Sequence, residues 1–313
     1  MQETDIFTLK GLYRDDFRIR GYRFGGGEKT LCVVGAMRGN ENQQLYAASQ
    51  LVRRLSLLEK AGKLSPCREV MVIPCCNPYS INIRKRFWTI DNTDINRMFP
   101  GYNKGETTQR IADGIFRTAQ QYKYGIQYAS FYMDGTFAPH VRMMQTGFED
   151  VETASRFGLP YIMLRKPRPF DTTTLNYNWQ IWDVNAFSLY TTTTDTIDPQ
   201  SAAQSVDAII NFLTSLGFVK GTYVQPEPSQ LIRDENLLNI RTERAGFFDS
   251  YVKPGEAVRA GQLLAQVTDP YDGSIRSWIH APEDGTVLFM HSFDMVYADT
   301  SVFKLVSGKE ISK

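Results

Sequence analysis

The sequence predicts an α/β fold, in which a mixed sheet flanked by helices is followed by a small, barrel-like all-β module. Short β-rich runs alternate with long amphipathic patterns over the first 225 residues, as they do in α/β sheets. After residue 225 no helical period is visible, and Gly, Pro and Asp turns separate short strands. We therefore predict an α/β domain over residues 1–225 and a β-barrel-like module over residues 226–313.

The elements of the α/β domain are predicted in chain order. Lys29–Gly35 is a β-rich run that follows a glycine turn. A helix is predicted over Asn42–Ala61, because apolar residues recur there at three- and four-residue steps and Gly62 follows as a stop signal. Val70–Pro74 is the second strand. The later elements are predicted as helices over Thr107–Tyr122 and Ser201–Leu216 and strands over Gln127–Met133, Tyr161–Arg165 and Ala186–Tyr190.

The composition is that of an ordinary globular protein. Of the 313 residues, 42% are hydrophobic and 22% are charged, which excludes a disordered or collagen-like chain. The net charge of +1 gives no electrostatic footprint for nucleic acid or an anionic membrane. No apolar run approaches the roughly 20 residues that span a bilayer, and no secretory signal is recognised. We expect a cytoplasmic protein without nucleic-acid or membrane partners.

The cysteines favour a reducing compartment. There are four of them and none forms a C-x-x-C pair, so neither a disulfide framework nor a structural zinc site is predicted. Cys75 and Cys76 are adjacent at the end of a predicted strand, and no sequence partner stands out for either. We expect these thiols to be buried and inert.

The first two predicted strands run into polar segments. The segment AMRGNE follows the first strand, and Asn77-Pro78 follows the second. A polar, arginine-rich stretch of about 24 residues comes next, and a loop of that length inside a compact domain is usually functional. Because ligands sit at the carboxyl ends of the strands in such sheets, these segments are the candidate site.

Three segments carry a resemblance to a known family. Gly35–Glu41 (GAMRGNE) matches the motif G-x-x-H-G-(D/N)-E except at its histidine. Asn77-Pro78, Arg86 and Asp94–Gly101 (DINRMFPG) match N-P…R…(D/N)-x-N-R-x-F-P-G. The third segment is the C-terminal β module. Together they resemble the aspartoacylase and succinylglutamate desuccinylase family, which implies a zinc-carboxypeptidase-like fold over essentially the whole chain.

The resemblance implies a deacylase in which two histidines and a glutamate hold zinc and a second glutamate is the general base. The matching positions hold Arg38 for the first histidine, Glu41 for the glutamate ligand, Met133 for the second histidine and Tyr190 for the base. Arginine offers no lone pair, a thioether is a poor zinc ligand, and a neutral phenol is a weak base at pH 7. The sequence therefore predicts a degraded zinc site in which Glu41 is a remnant ligand.

The arginines of the motif are retained. The resemblance implies that Arg86 faces the scissile carbonyl and that Asn96 and Arg97 hold a substrate carboxylate, a task suited to the guanidinium fork. We predict a cationic pocket of Arg38, Arg86, Asn96 and Arg97 for an N-acyl amino acid or peptide-like acid. The catalytic candidates are Arg86 and Tyr190.

The charges of Arg38 and Glu41 connect the expected loss of zinc with the retained arginines. If Arg38 points toward Glu41, its guanidinium replaces part of the charge of zinc and keeps the carboxylate from lying buried and alone. On this hypothesis no cofactor is expected.

Two alternatives remain open. The first is an active hydrolase of amide or ester bonds that uses zinc at a shifted site formed by Glu41, Asp134 and His140. The second is an assembly role for the β module, which an exposed apolar patch on that module would favour. A homo-oligomer is compatible with all three hypotheses.

Overall fold

The computed structural model describes residues 1–11, 13, 15–131 and 133–308. It divides the chain into two compact units. The first comprises Met1–Ser130 and Pro139–Ser229, and the second comprises Phe131–Ala138 together with the chain from Gln230 onward. The second unit is therefore built from two separate stretches of sequence.

A large mixed sheet runs through the first unit. Its strands have the order β1-β2-β4-β3-β5-β9-β7-β8. The central strands β4, β3, β5 and β9 are parallel, whereas β2 joins β4 and β7 joins β9 in antiparallel fashion. The bounds are β1 Gln2–Leu9, β2 Phe17–Gly25, β3 Glu28–Ala36, β4 Arg68–Cys75, β5 Tyr124–Ala129, β7 His140–Met144, β8 Tyr161–Arg165 and β9 Asn185–Tyr190, and β6 belongs to the second unit.

Helices cover both faces of this sheet. On one face Leu51 of α1 and Phe212 of α6 belong to one buried cluster. On the other face Ile115 of α3 and Trp179 of α5 belong to a second cluster. The mixed α/β class predicted from the sequence is thus confirmed. The helices are α1 Asn42–Lys60, α2 Pro78–Asn82, α3 Thr107–Ala119, α4 Val151–Ser155, α5 Leu175–Ile181 and α6 Pro199–Ser215.

No helix in the part of the chain that the structure describes combines the length and the apolar character needed to cross a membrane.

The second unit is built from short antiparallel strands. One sheet has the order β11-β18-β16-β13, with β6 paired to β16, and the other has the order β15-β14-β12-β17. Leu264, Val267, Phe303 and Leu305 are fully buried in its core. The strands are β6 Gly135–Phe137, β10 Gln230–Arg233, β11 Leu237–Arg241, β12 Gly246–Ser250, β13 Ala257–Val258, β14 Leu263–Thr268, β15 Ile275–His280, β16 Gly285–His291, β17 Met295–Val296 and β18 Ser301–Ser307.

The predicted strand Gln127–Met133 differs from the observed one. Strand β5 ends at Ala129, and the residues from Phe131 onward belong to the second unit, where the Phe131 ring packs against Phe137. Tyr132, inside the predicted range, lies outside the described residues. Every residue of β5 is buried, so its sequence lacks the alternation that marks the ends of a half-exposed strand.

A substitution on α1 tests the packing of the first unit. We expect Leu51→Ala to lower the free energy of unfolding by about 2–5 kcal/mol, because it removes a fully buried side chain from the core. Leu57→Ala, on the exposed face of the same helix, is the control and should change it by no more than about 0.5 kcal/mol. Urea unfolding followed by the helical circular dichroism signal measures both. Equal effects of the two substitutions would contradict the assigned helix orientation.

Candidate functional site

The candidate site lies where the parallel strands β3, β4 and β5 end. The chain leaves β3 at Ala36 and turns through Arg38 and Gly39 into α1. A side chain at Gly39 would collide with the backbone of Ser80 and Lys85, so only glycine lets the turn pack this closely. The turn thereby holds Arg38 and Glu41 at the edge of the sheet where ligands bind in α/β proteins.

Arg38 is buried between two carboxylates. Its Nε donates to Oδ1 and Oδ2 of Asp94 at 3.1 and 3.0 Å, and its Nη2 donates to Oδ2 at 2.9 Å. Its Nη1 donates to Oε1 of Glu41 at 3.0 Å and to Oγ of Ser130 at 3.3 Å. The predicted pairing of Arg38 with Glu41 is therefore confirmed. We call Arg38, Glu41, Asp94 and Ser130 the buried ion network.

Glu41 is saturated by donors from this chain. Its Oε2 accepts hydrogen bonds from the backbone N–H groups of Met37 at 2.6 Å and Arg38 at 3.0 Å. Its Oε1 accepts from Arg38 and from the Ser130 hydroxyl. The side chain is 1% exposed. Each carboxylate oxygen thus has two donors, which is the pattern that makes a buried carboxylate tolerable.

The guanidinium of Arg38 is held in its charged form. Burial lowers the pKa of Arg38, but the carboxylates of Glu41 and Asp94 outweigh burial, and the pKa lies above its ordinary value. The site therefore has a permanent cation on the Glu41 carboxylate.

The side chains at these positions do not fit the zinc centre that the resemblance implies. Catalytic zinc takes three protein donors, whereas Arg38 is a cation and both oxygens of Glu41 accept two hydrogen bonds each. Met133, at the second histidine position, belongs to the second unit. Within the described ranges, no group of three or more His, Cys, Asp or Glu side chains is arranged to hold a metal.

The alternative ligand set of Glu41, Asp134 and His140 is drawn from both units and remains a prediction. Asp134 belongs to the second unit, and so does His291, whose pKa burial lowers while the nearby Asp134 only partly opposes that fall. His140 belongs to β7 in the first unit, and its ring stacks on that of Tyr190 at 4.6 Å between centroids.

Tyr190, which we predict at the position of the general base, is buried at the end of β9. Burial raises the pKa of its phenol, and the charges of Arg142, Arg165 and Arg38 only partly oppose that rise. The phenol is therefore neutral near pH 7 and a poor proton acceptor. The guanidinium carbon of Arg142 lies 4.5 Å from the centre of the Tyr190 ring. The catalytic role of Tyr190 remains a prediction.

Asn96 and Arg97 lie on the 3-10 turn Ile95–Arg97 within the long loop. The Oδ1 of Asn96 accepts a hydrogen bond from the N–H of Leu175 at 3.2 Å, so this side chain anchors the loop to α5. The Nη1 of Arg97 donates to the carbonyl of Phe170 and lies 3.7 Å from Oδ1 of Asp171. One-third of the Arg97 side chain is exposed, at 33%. Arg97 is thus accessible to a ligand.

Arg86, the remaining predicted pocket residue, is half-buried. Its backbone carbonyl accepts a hydrogen bond from the N–H of Gly39 at 3.2 Å. This contact places Arg86 beside the turn that carries Arg38.

Two members of the buried ion network were not among the sequence candidates. Asp94 begins the matched DINRMFPG motif, so an acid at that position was a usable signal for a partner to Arg38. Ser130 follows the last residue of β5, and no motif marks it.

Of the two cysteines that the sequence predicts to be buried, Cys76 is buried and Cys75 is partly buried. Cys32 is buried as well. Burial raises the pKa of Cys75 to about 12, and it also raises the pKa values of Cys32 and Cys76. Cys67, in contrast, is exposed.

The sheet, with its polar turns at the strand ends, defines a zinc-carboxypeptidase-like α/β protein. Residues 27–214 match the model of the succinylglutamate desuccinylase/aspartoacylase catalytic domain, and the chain belongs to that family. The N-alpha-acetyl-L-2,4-diaminobutyric acid deacetylase of Halomonas elongata is 25% identical in an alignment of 258 residues that covers 78% of this chain and 72% of that protein.

Solved structures share the fold. A succinylglutamate desuccinylase from Silicibacter sp. TM1040 superposes with a TM-score of 0.80 at 20% identity, covering 98% of this chain and 95% of its own. The product-bound ectoine utilization protein EutE (DoeB) from Ruegeria pomeroyi superposes with a TM-score of 0.76 at 20% identity, covering 93% of this chain and 89% of its own. The family and fold expected from the sequence are confirmed.

The buried ion network can be tested by its effect on stability. We expect Arg38→Met to lower the free energy of unfolding by about 3–5 kcal/mol, because it leaves the Glu41 carboxylate buried without its cation. The double variant Arg38→Met/Glu41→Gln should recover part of that loss. Urea denaturation of the single and double variants gives the coupling energy. A loss below about 1 kcal/mol for Arg38→Met would contradict the network.

Thiol accessibility gives a second test. At pH 8 we expect iodoacetamide to alkylate Cys67 and to spare Cys32, Cys75 and Cys76, because burial keeps those three as protonated, shielded thiols. Peptide mass spectrometry of native and urea-unfolded protein gives the rate at each site. Native-state alkylation of Cys75 as fast as that of Cys67 would contradict the burial of this strand end.

Proposed function

We propose that this protein binds a small carboxylate-bearing acid, of the N-acyl amino acid or peptide-like class, at a site where a guanidinium takes the place of zinc. The observation that carries the proposal is the contact of Arg38 with Glu41 and Asp94, at a position where the family motif has a histidine. The same side chain that removes a metal donor supplies the positive charge that the remaining carboxylate requires.

We assign a role to each arginine from its contacts and its exposure. Arg38 directs its nitrogens to Asp94, Glu41 and Ser130, and its side chain is only 6% exposed, so we assign it to charge replacement rather than to ligand contact. Arg97 is partly exposed, and we assign it to the ligand carboxylate, for which a guanidinium fork is well suited. Arg86, beside the same turn, is assigned to the carbonyl of the ligand.

The class of ligand is supported by family membership. The Halomonas relative is named as a deacetylase of N-acetyl-diaminobutyric acid, and the Ruegeria neighbour as an ectoine utilization protein. The first of these names describes a small N-acetylated amino acid as the substrate of that relative. We extend to this chain only the binding of such an acid.

The side chains favour the hypothesis that the protein binds its ligand without the hydrolysis that is usual in the family. Hydrolysis requires a group that activates water, and the ordinary zinc-bound water needs donors that Arg38 cannot provide. Glu41 holds four hydrogen bonds, and Tyr190 is kept neutral by burial, so neither is a ready base. We therefore propose a binding or regulatory role.

The second candidate is an active deacylase of amide or ester bonds with a shifted metal site, favoured by membership in a family of hydrolases. Such an enzyme would release acetate or succinate from acyl amino acids in a zinc-dependent reaction. Glu41→Ala would abolish that release.

Calorimetric titration with N-acetyl-L-2,4-diaminobutyrate tests the proposed binding. We expect Arg97→Ala to weaken binding at least tenfold, about 1.4 kcal/mol, because it removes the carboxylate contact. Arg117→Ala, which removes an exposed arginine on α3, is the charge-matched control and should bind like the wild type. Equal affinity of Arg97→Ala and the wild type would contradict the pocket.

Metal analysis of the same preparations separates the two candidates. Protein purified without chelator should contain well below one zinc per chain, since Arg38 removes a donor. Stoichiometric zinc that is lost in Glu41→Ala, together with zinc-dependent acetate release, would overturn the proposal in favour of the deacylase.

A further inference from the structure

One sheet of the second unit has an apolar outward face. Phe247 lies on β12, Ile275 and Trp278 lie on β15, and Met295 lies on β17. These strands belong to the sheet with the order β15-β14-β12-β17. The four side chains are between 43% and 57% exposed. Single exposed apolar residues are ordinary on protein surfaces, whereas a contiguous group of them marks an interaction site.

The strand register shows that these residues are contiguous. Phe247 of β12 lies opposite Met295 of β17 on one side and opposite Thr268 of β14 on the other. Thr268 in turn lies opposite Ile275 of β15. Side chains that lie opposite one another on neighbouring strands are in contact distance. One row of side chains therefore crosses all four strands, and only Thr268 in this row is polar.

Two aromatic residues extend the face along β17. Phe293 and Tyr297 lie two residues before and two residues after Met295, and alternate residues of a strand share one face. The backbone N–H of Phe248 donates to the carbonyl of Asp294 at 2.8 Å, so the pairing with β12 continues toward Phe293. Phe293 is 55% exposed and Tyr297 is 84% exposed. Both rings therefore enlarge the apolar surface beside Met295.

The charged groups at this face are satisfied within the unit. Nε2 of Gln266 on β14 donates to Oδ2 of Asp249 on β12 at 3.2 Å. Arg276 of β15 donates through Nε to Oδ2 of Asp269 at 2.7 Å and through Nη1 to the carbonyl of Ala245 at 2.9 Å. The face therefore offers no surplus of positive charge that would attract nucleic acid or an anionic membrane.

The area of this surface is close to what a stable protein interface needs. Six large apolar side chains of about 200 Å² each, roughly half exposed, present on the order of 600 Å². The largest apolar patch of a typical monomer is about 300–600 Å², and a standard interface takes about 800 Å² from each partner. We define these six residues as the apolar sheet face: Phe247, Ile275, Trp278, Phe293, Met295 and Tyr297.

We propose that the apolar sheet face is a homodimer interface, in which the face of one copy covers the same face of a second copy. Such an interface is related by a two-fold axis, so the surface must be complementary to itself. It is also the exposed apolar patch that an assembly role of the β module requires. The interface uses no residue of the candidate ligand site.

The order of the strands makes this face complementary to itself. A two-fold axis parallel to the strands, through the middle of the sheet, places β17 over β15 of the second copy and β12 over β14. Met295 then lies over Ile275 of the second copy, and Trp278 lies over Phe293. Asp249 lies over Gln266, an amide, so the two Asp249 carboxylates do not meet.

Sedimentation equilibrium of the full-length protein tests the interface. At about 50 μM we expect the wild type to have twice the chain mass of 35.7 kDa, since interfaces of this size reach micromolar affinity or better. Phe247→Glu and Trp278→Glu each place a carboxylate in the apolar contact. We expect each to raise the dissociation constant of the dimer at least 100-fold, because the charge loses its water there.

A matched control separates the interface from a general effect of added charge. Leu57→Glu replaces an exposed apolar side chain on α1 in the first unit and should dimerise like the wild type. Phe247 and Trp278 are exposed in the single chain, so their substitution should leave the fold intact. Circular dichroism of all three variants checks this.

A charge pair tests the two-fold arrangement. Met295→Glu should weaken the dimer, and the double variant Met295→Glu/Ile275→Lys should recover at least tenfold of that loss. The recovery is expected because each introduced carboxylate lies over the introduced ammonium group of the second copy, while the two positions within one chain are separated by two strands. Absence of any recovery would overturn this arrangement.

Three outcomes would overturn the interface itself. The first is a wild type that remains monomeric at about 50 μM, and the second is a dimer that is as tight in Phe247→Glu and Trp278→Glu as in the wild type. The third is a monomer that sediments with phosphatidylcholine vesicles, which would assign the face to lipid. Binding of N-acetyl-diaminobutyrate enters none of these measurements, so the failure of this inference is distinct from the failure of the proposed function.

Discussion

The burial of one guanidinium between two carboxylates is the constraint on which the rest of the site depends. Isolated charges in a protein interior are costly, and Arg38, Glu41 and Asp94 are tolerable there only as a hydrogen-bonded set. The contacts tie the turn after β3 to the long loop through Asp94 and to the end of β5 through Ser130. The network therefore fixes the loop that carries Arg97.

This arrangement supports the proposal that the chain keeps residues for binding a carboxylate while the side chains at the expected metal-ligand positions differ. In the family motif a histidine would offer a lone pair where Arg38 offers donors, so on this proposal the position supplies positive charge without coordinating a metal. Glu41 forms an ion pair with Arg38, and Tyr190 is buried as a neutral phenol.

The fold and half of the site were predictable because they depend on local sequence motifs. Contacts between segments that are distant in the sequence were not predictable. Arg38 and Glu41 lie three residues apart in one recognisable segment, so their pairing was predictable from the sequence. The contact of Arg97 with Asp171 joins two loops with no shared motif. The sequence analysis did not predict strands β1, β2 and β7. It also did not predict that Phe131–Ala138 joins the second unit by pairing with β16, because a pairing between distant strands leaves no local periodicity.

Anomalous X-ray diffraction at the zinc edge, from crystals grown with excess zinc, shows whether a metal or the Arg38 guanidinium lies beside Glu41. We predict that Arg38 keeps its hydrogen bonds to Glu41 and Asp94 and that no anomalous peak lies within bonding distance of the Glu41 carboxylate. A zinc ion bound to Glu41, or Arg38 turned away into solvent, would contradict it.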